Sequence, residues 1–185
     1  MMKLGLVLAL AAWQAAAFAL DLVETPMLAE EVAAKKIPPV RERLPEAPLI
    51  VQLDGKAAQP GHHGGTLHML IGRSRDVRML VVYGYSRLVG YDRDLRIVPD
   101  LLESFAVDEG RVFTLKLRKG HRWSDGAPFT TEDFRYYWED VATNKELSPA
   151  GPPGELAPDG ELPKVEILDK TTVRYSWSRD RKSVV

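Results

Sequence analysis

The chain has 185 residues, no cysteine and an almost even charge balance, with 25 lysines and arginines against 26 aspartates and glutamates. A sequence without cysteine contains no disulfide framework, no thiolate chemistry, no cysteine-based metal site and no lipid-anchoring cysteine. Nucleic-acid binding needs a concentrated basic face, so the even charge balance predicts no nucleic-acid partner.

The N-terminal residues have the pattern of a secretory signal peptide. Lys3 supplies the positive charge, residues 4–13 form a short apolar run, and an A-x-A site ends at Ala19. We therefore predict a signal peptide over residues 1–19, with cleavage after Ala19. Gln14 interrupts the apolar run, which is short for a membrane span, so a retained anchor is the weaker alternative. An exported chain without cysteine fits the bacterial periplasm.

Residues 20–65 have the composition of an N-terminal extension. Thr25-Pro26 predicts the start of a short helix, because proline is favoured at the first helical position. The stretches IPPV and LPEAP favour extended or polyproline-like backbone, and AQPGHHGG is a flexible approach to the first predicted strand. That strand is TLHMLI at residues 66–71, whereas MLVVY at residues 79–83 fits either a buried strand or a helical turn.

Two hairpins are predicted in the second half of the chain. ESFAV and RVFTLKL flank a three-residue turn, in which Gly110 takes the left-handed position, and Phe113, Leu115 and Leu117 share one face of the second strand. KVEIL and TVRYSW form the other hairpin. A long loop rich in proline and glycine, ELSPAGPPGELAPDGELP, precedes it. Antiparallel strands with one good helix predict an α+β fold.

That helix follows the stretch HRWSDGAPFTTEDFRYYW. Thr130 is placed as the N-cap and Asp133 as its capping-box partner. Phe134, Tyr137, Trp138 and Val141 then form one apolar stripe at helical spacing.

The residues before the helix are assigned to a tight turn at Ser124, Asp125 and Gly126. Trp123 is interpreted as a core anchor, with a substrate platform as the weaker alternative, and Phe129 belongs to the same structural motif. The enzymatic alternative is a hydrolase that uses His121, Ser124 and Asp125. Catalytic groups of this kind converge from separate segments, and the chain has no G-x-S-x-G elbow, so we predict no catalytic residues and no enzyme activity.

Four motifs in sequence resemble one known family. They are GGTLHML, LVGYDRDLRIVPDLLESFAV, GRVFTLKLRKGHRWSDGAPFTTEDFRYYWEDV and DKTTVRYSW. Together they resemble the N-terminal part of the family 5 extracellular solute-binding proteins, which are peptide, dipeptide and nickel receptors of ABC importers. The resemblance implies a two-lobed, periplasmic-binding-protein-like fold of type II. Residues 66–84 would begin the first ligand-binding lobe, and residues 85–179 would form an incomplete accessory subdomain.

The resemblance also implies how a ligand is held. In peptide-binding members, the loop after the first strand pairs its backbone with the extended ligand. That loop corresponds here to Gly72, Arg73, Ser74, Arg75 and Asp76. The expected partners are a peptide-like solute and a cognate ABC permease, for a monomeric protein without a cofactor.

The alternative within the same family is a receptor for nickel or a metal complex. It would draw on the four histidines of the chain, His62, His63, His68 and His121. Their spacing is not that of a ligand set, so we predict no metal site.

The last six residues, DRKSVV at positions 180–185, can be back-translated as the start of a common sequencing adapter. We expect this tail to be a sequencing artefact on a truncated chain.

Overall fold

The computed structural model describes residues 22–53, 55, 59–66, 68–79 and 85–180. The predicted signal peptide lies outside the described residues, as do residues 80–83 of MLVVY and all of the predicted artefactual tail except Asp180. Within these ranges, no helix combines the length and the apolar character that a membrane crossing requires.

Four antiparallel strands form the central sheet. They are β3 (Leu102–Asp108), β4 (Val112–Leu117), β5 (Lys164–Ile167) and β6 (Thr172–Ser176), in the spatial order β3-β4-β6-β5. A separate two-stranded hairpin, β1 (Val89–Tyr91) with β2 (Ile97–Pro99), precedes them. Both hairpins predicted in the second half of the chain are therefore confirmed, and so is the α+β class.

The turn between β3 and β4 explains why this hairpin forms. Glu109 and Gly110 both have positive φ, at 49° and 62°. A tight turn with two left-handed central residues matches the twist of the strands that it joins. The N–H of Arg111 closes the turn on the carbonyl of Asp108 at 3.0 Å.

One face of the sheet carries the core. Strand alternation puts every second side chain on the same face, and the buried apolar residues follow this rule. They are Leu102, Phe113, Leu117, Val173 and Trp177, together with Ala142 from the helix. The predicted alternation of β4 is confirmed, because Phe113 and Leu117 are both buried.

The predicted helix is present, although it changes type. Helix α3 (Thr131–Tyr136) continues directly into a π-helix (Tyr137–Ala142). The N–H of Thr143 donates to the carbonyl of Trp138, five residues back, at 3.2 Å. The hydroxyl of Thr143 donates to the same carbonyl at 3.0 Å and so closes the last turn.

The predicted apolar stripe of the helix is buried in part. Phe134, Trp138 and Val141 are half-buried, as the predicted stripe requires, but Tyr137 is 44% exposed. Ala142, four residues after Trp138, is almost completely buried and extends the same face.

The start of α3 is fixed to the sheet. Thr131 is almost completely buried, and its hydroxyl donates to the carbonyl of Asp169 at 2.5 Å. Its N–H donates to the carbonyl of Lys170 at 3.1 Å. Both carbonyls lie in the turn between β5 and β6, so the helix is attached to the sheet where that hairpin reverses.

The N-terminal part contains short helices. A 3₁₀ turn (Pro26–Leu28) leads into α1 (Ala29–Ala33), which confirms the helix expected after Thr25. Thr25 itself makes no side-chain cap. A second helix, α2 (Val40–Arg43), lies between the stretches IPPV and LPEAP. Pro39 and Leu44, which flank it, have the extended backbone expected of these stretches, whereas Val40, the last residue of IPPV, is helical.

The strand predicted for TLHMLI is also wrong in the part that the structure describes. Residues 66 and 68–71 have no strand pairing, and Met69, Leu70 and Ile71 are exposed. Backbone N–H and C=O groups need partners to form a sheet, and no described strand lies beside this segment to supply them. The segment continues into a 3₁₀ helix, Ser74–Met79.

Candidate functional site

The predicted ligand-binding loop, Gly72, Arg73, Ser74, Arg75 and Asp76, forms an exposed turn that enters the Ser74–Met79 helix. The carboxylate of Asp76 accepts a hydrogen bond from the N–H of Arg73 at 3.0 Å. In return, the N–H of Asp76 donates to the carbonyl of Arg73 at 2.9 Å.

This geometry limits how the loop could hold an extended ligand. Strand addition uses free backbone donors and acceptors, but here the N–H and the carbonyl of Arg73 already bond to Asp76. Backbone pairing with a ligand would first have to open this turn. The guanidinium groups of Arg73 and Arg75 belong to exposed residues and can meet an anionic group without that change.

The second candidate region is the turn before α3. The N–H of Trp123 donates to the carbonyl of Ala127 at 2.8 Å, and the N–H of Gly126 donates back to the carbonyl of Trp123 at 2.9 Å. The carboxylate of Asp125 accepts from the N–H of Ala127 at 2.8 Å. Gly126 has φ 90°, a conformation that suits glycine. The predicted tight turn is confirmed.

The capping box at the start of α3 is confirmed as well. The hydroxyl of Thr130 accepts from the N–H of Glu132 at 3.3 Å, and the carboxylate of Asp133 accepts from the N–H of Thr130 at 2.7 Å. The other oxygen of Asp133 accepts from the indole N–H of Trp123 at 3.0 Å. One carboxylate therefore joins the helix start to the preceding turn.

The interpretation of Trp123 as a core anchor is wrong. Its side chain is 51% exposed, although its ring packs edge-to-face on Phe129 with 5.1 Å between ring centroids. Phe129 in turn lies 5.7 Å from the ring of Phe134. The carboxylate of the half-buried Asp133 holds one edge of this exposed indole by the hydrogen bond from its N–H. Trp123 is thus the outer member of an aromatic row, and Phe134 is its inner member.

The structure does not bring His121, Ser124 and Asp125 together as the hydrolase alternative requires. Burial lowers the pKa of His121, and a hydrogen bond with the backbone of Leu101 opposes this effect only in part. Its Nε2 atom is buried without a partner. Ser124 and Asp125 are exposed in the turn, and the carboxylate of Asp125 is used by the N–H of Ala127. No hydrogen bond in the described part of the chain links the imidazole to either residue.

The other three histidines lie in the N-terminal half. His62, His63 and His68 are exposed in irregular backbone. Among the residues that the structure describes, no three metal-ligating side chains come together in a group that could hold an ion.

A groove separates the N-terminal segment from the turn before α3. It is open to solvent and has a volume of about 940 Å³. Residues between 37 and 48 form one wall, and Gly120 with residues 122–126 forms the other. The exposed part of Trp123 lines this groove.

Sequence reasoning missed one aromatic cluster. Trp177 is 4% exposed, packs edge-to-face on Phe113 at 5.6 Å and stacks on Tyr175 at 6.4 Å. Its indole N–H donates to the carbonyl of Leu156 at 3.2 Å, which fixes the long Pro/Gly-rich loop to the sheet. The cluster could have been predicted from alternation, because Val173, Tyr175 and Trp177 occupy every second position of the last predicted strand and so share one face of it.

One family model and several known proteins are similar to this chain. Residues 96–183 match the family model described as bacterial extracellular solute-binding proteins, family 5 Middle. A curated relative, the periplasmic alpha-galactoside-binding protein of Rhizobium meliloti (strain 1021), is 28% identical over 171 residues, which cover 79% of this chain and 24% of the relative. The periplasmic oligopeptide-binding protein OppA of Escherichia coli (strain K12) is 35% identical over 65 residues, which cover 35% of this chain and 12% of the relative.

Solved structures confirm the predicted fold. An oligopeptide-binding protein OppA matches with a TM-score of 0.68 and 35% identity, over 84% of this chain and 24% of that protein. The periplasmic binding protein MelB of Agrobacterium fabrum C58, in complex with stachyose, matches with a TM-score of 0.51 and 24% identity, over 82% of this chain and 26% of that protein. This second likeness shows the fold alone. The chain spans a quarter or less of the length of these curated relatives.

Proposed function

We propose that this protein captures a peptide-like solute in the periplasm, because residues 96–183 match the family model described as bacterial extracellular solute-binding proteins, family 5 Middle. It then delivers the solute to the membrane permease of an ABC importer. Binding is the only chemistry involved, and closure of two lobes over the solute is the conformational step. The predicted signal peptide at residues 1–19 supplies the route of export.

The observation that carries this proposal is the likeness to an oligopeptide-binding OppA structure, at 35% identity over 84% of the chain. The loop at residues 72–76 is the proposed contact with the solute. Arg73 and Arg75 present two exposed guanidinium groups beside a turn that Asp76 closes. A peptide carboxylate could bond to a guanidinium there, and charge-assisted hydrogen bonds of this kind are the stronger class.

A second candidate solute is an oligosaccharide. A curated relative named for alpha-galactoside binding is similar to this chain over 171 residues. Sugar rings are bound against aromatic faces and a few placed polar groups, and the half-exposed Trp123 offers such a face next to Asp125. The nickel alternative has only the family resemblance and scattered histidines in its favour.

Isothermal titration calorimetry separates these candidates. The proteins are this chain and the longest gene product that contains it, each titrated with trialanine, stachyose and nickel chloride. With the longer gene product, we expect heat from the tripeptide alone. With this chain we expect no useful binding, because it spans about a quarter of the relatives it matches and a solute cleft needs the walls of both lobes. For the longer gene product, heat from stachyose alone would favour the oligosaccharide and heat from nickel alone would favour the metal. No heat from any of the three with the longer gene product would overturn the proposal.

A pair of arginine variants tests the loop. Arg75→Ala removes a guanidinium from the proposed contact and should weaken tripeptide affinity about tenfold, equivalent to about 1.4 kcal/mol. Arg96→Ala is the matched control, because Arg96 is an exposed arginine paired with Asp94 outside the loop. Equal affinity of both variants and the wild type would remove the loop from the proposed site while leaving the solute class intact.

A further inference from the structure

The N-terminal segment is closed on itself by one carboxylate. Glu24 forms an ion pair with Arg43, and it also accepts from the N–H of Val40 at 2.9 Å and from the N–H of Thr25 at 3.0 Å. The guanidinium of Arg43 donates in addition to the carbonyl of Pro38 at 2.9 Å.

This ion pair is better shielded than an ordinary surface pair. The side chains of Arg43 and Glu24 are 27% and 24% exposed, and most fully exposed pairs contribute little to stability. The ion pair with Arg43 is the main reason that the pKa of Glu24 lies below its usual value. Arg43 and Val40, near the end of the segment, therefore both bind Glu24 near its start.

The end of the same segment contacts the rest of the protein. The N–H of Glu46 donates to the carbonyl of Lys119 at 3.1 Å. Gly120 lies directly against this contact, because a Cβ atom at position 120 would sit 2.6 Å from the backbone nitrogen of Glu46 and 3.3 Å from the Cα of Pro45. The absence of a side chain at Gly120 is what lets the two backbones approach.

We infer that residues 24–46 form a strap, clasped by Glu24 and Arg43 and docked at Gly120, that covers the backbone of the turn at residues 119–120, directly after β4. The strap lies outside the 96–183 family match, yet it packs on a turn inside that match. It forms one wall of the groove whose other wall contains Trp123. Opening the strap removes that wall and exposes the Lys119 carbonyl.

Two glycines in the connection between β4 and α3 provide a matched test. Gly120 and Gly126 have nearly the same backbone conformation, with φ of 87° and 90°, so alanine is strained to a similar degree at both. A Cβ at Gly126 meets no atom within 4 Å, whereas a Cβ at Gly120 collides with the strap. The difference between Gly120→Ala and Gly126→Ala thus isolates the docking contact from the backbone strain.

The readouts are hydrogen exchange at the Glu46 amide and trypsin cleavage after Lys35, Lys36, Arg41 and Arg43. We expect at least a tenfold faster exchange and cleavage in Gly120→Ala than in Gly126→Ala. In the wild type, the Glu46 amide should be protected relative to an unstructured peptide.

A second variant tests the clasp without changing the turn. Glu24→Gln should speed trypsin cleavage of the strap at least threefold, whereas Glu30→Gln, on exposed helix α1, should leave the rate unchanged. An unprotected Glu46 amide in the wild type would overturn the strap. So would equal cleavage rates in the two glycine variants, or no response to Glu24→Gln.

Discussion

Replacing Trp177 with alanine should cause a large loss of stability. Its indole is 4% exposed and contacts the rings of Phe113 and Tyr175. A tryptophan removes roughly 150–250 Å² from water when it is buried, and truncation of a buried tryptophan to alanine costs about 3–5 kcal/mol. The variant also deprives the carbonyl of Leu156 of its indole donor, which is worth about 1 kcal/mol. We therefore expect a loss of about 4–6 kcal/mol.

The assay is urea unfolding followed by far-ultraviolet circular dichroism, because tryptophan fluorescence is itself changed by the substitution. Trp177→Phe is the control. It keeps an aromatic ring next to Phe113 but lacks the N–H, so it should lose only about 1–2 kcal/mol. If Trp177→Ala changed the free energy of unfolding by less than about 1 kcal/mol, the ring would not be part of the core. If both variants lost the same amount, the hydrogen bond and not the packing would account for the effect.

Three further predictions concern capping and pH. Thr130→Ala should lower the free energy of unfolding by about 1 kcal/mol through loss of the helix cap, whereas Thr130→Ser should not, as urea unfolding can show. Hydrogen bonds from the backbone and hydroxyl of Thr171, and from Thr172, lower the pKa of Asp169 to about 2. Its contribution to stability is present above the unfolded pKa and is lost as pH falls from about 4 to about 2, so Asp169→Asn should flatten the acid limb of a stability-pH curve. Burial raises the pKa of Tyr175 to about 12, so its contribution is present below the unfolded pKa and is lost as pH rises from about 10 to about 12. Tyr175→Phe should flatten the alkaline limb, and an unchanged curve would contradict this reasoning.

The features that the sequence predicted correctly are those whose geometry depends only on residues close together in sequence. The capping box needs only Thr130 and Asp133, three positions apart, and both of its hydrogen bonds are present. The β3–β4 turn needs only residues that tolerate positive φ, and it contains Gly110. Such patterns can be read from sequence because the interacting groups are fixed in space by the local backbone.

The failures concern positions whose environment comes from distant parts of the chain. Tryptophan is a residue type that is usually buried, but the hydrogen bond from the indole of Trp123 to the carboxylate of Asp133 keeps this ring at the surface. TLHMLI has the composition of a strand, but in the described part of the chain no strand lies beside it. Hydrophobicity predicts that a residue prefers burial. It does not predict which distant part of the chain will cover that residue.

The same limit applies to the candidate site. The loop at residues 72–76 was chosen by resemblance, and its role in binding stays a prediction. The strap was missed because Glu24 and Arg43, or Glu46 and Lys119, are far apart in sequence and have no pattern that pairs them. Only Gly120, a glycine that comes shortly after a strand, could have indicated a close backbone approach.

The strand order of the sheet has a consequence for how the protein folds. The β3–β4 and β5–β6 hairpins each join neighbouring segments, so each can form within microseconds of collapse. The β4–β6 pairing, in which Leu115 lies opposite Val173, has to close a loop that contains the whole of α3 and the Pro/Gly-rich segment. Closure of this long loop is the slow step, because its entropy is lost before the contacts that compensate for it are made. Until it is complete, β4 has an open edge and can pair with another copy of the chain.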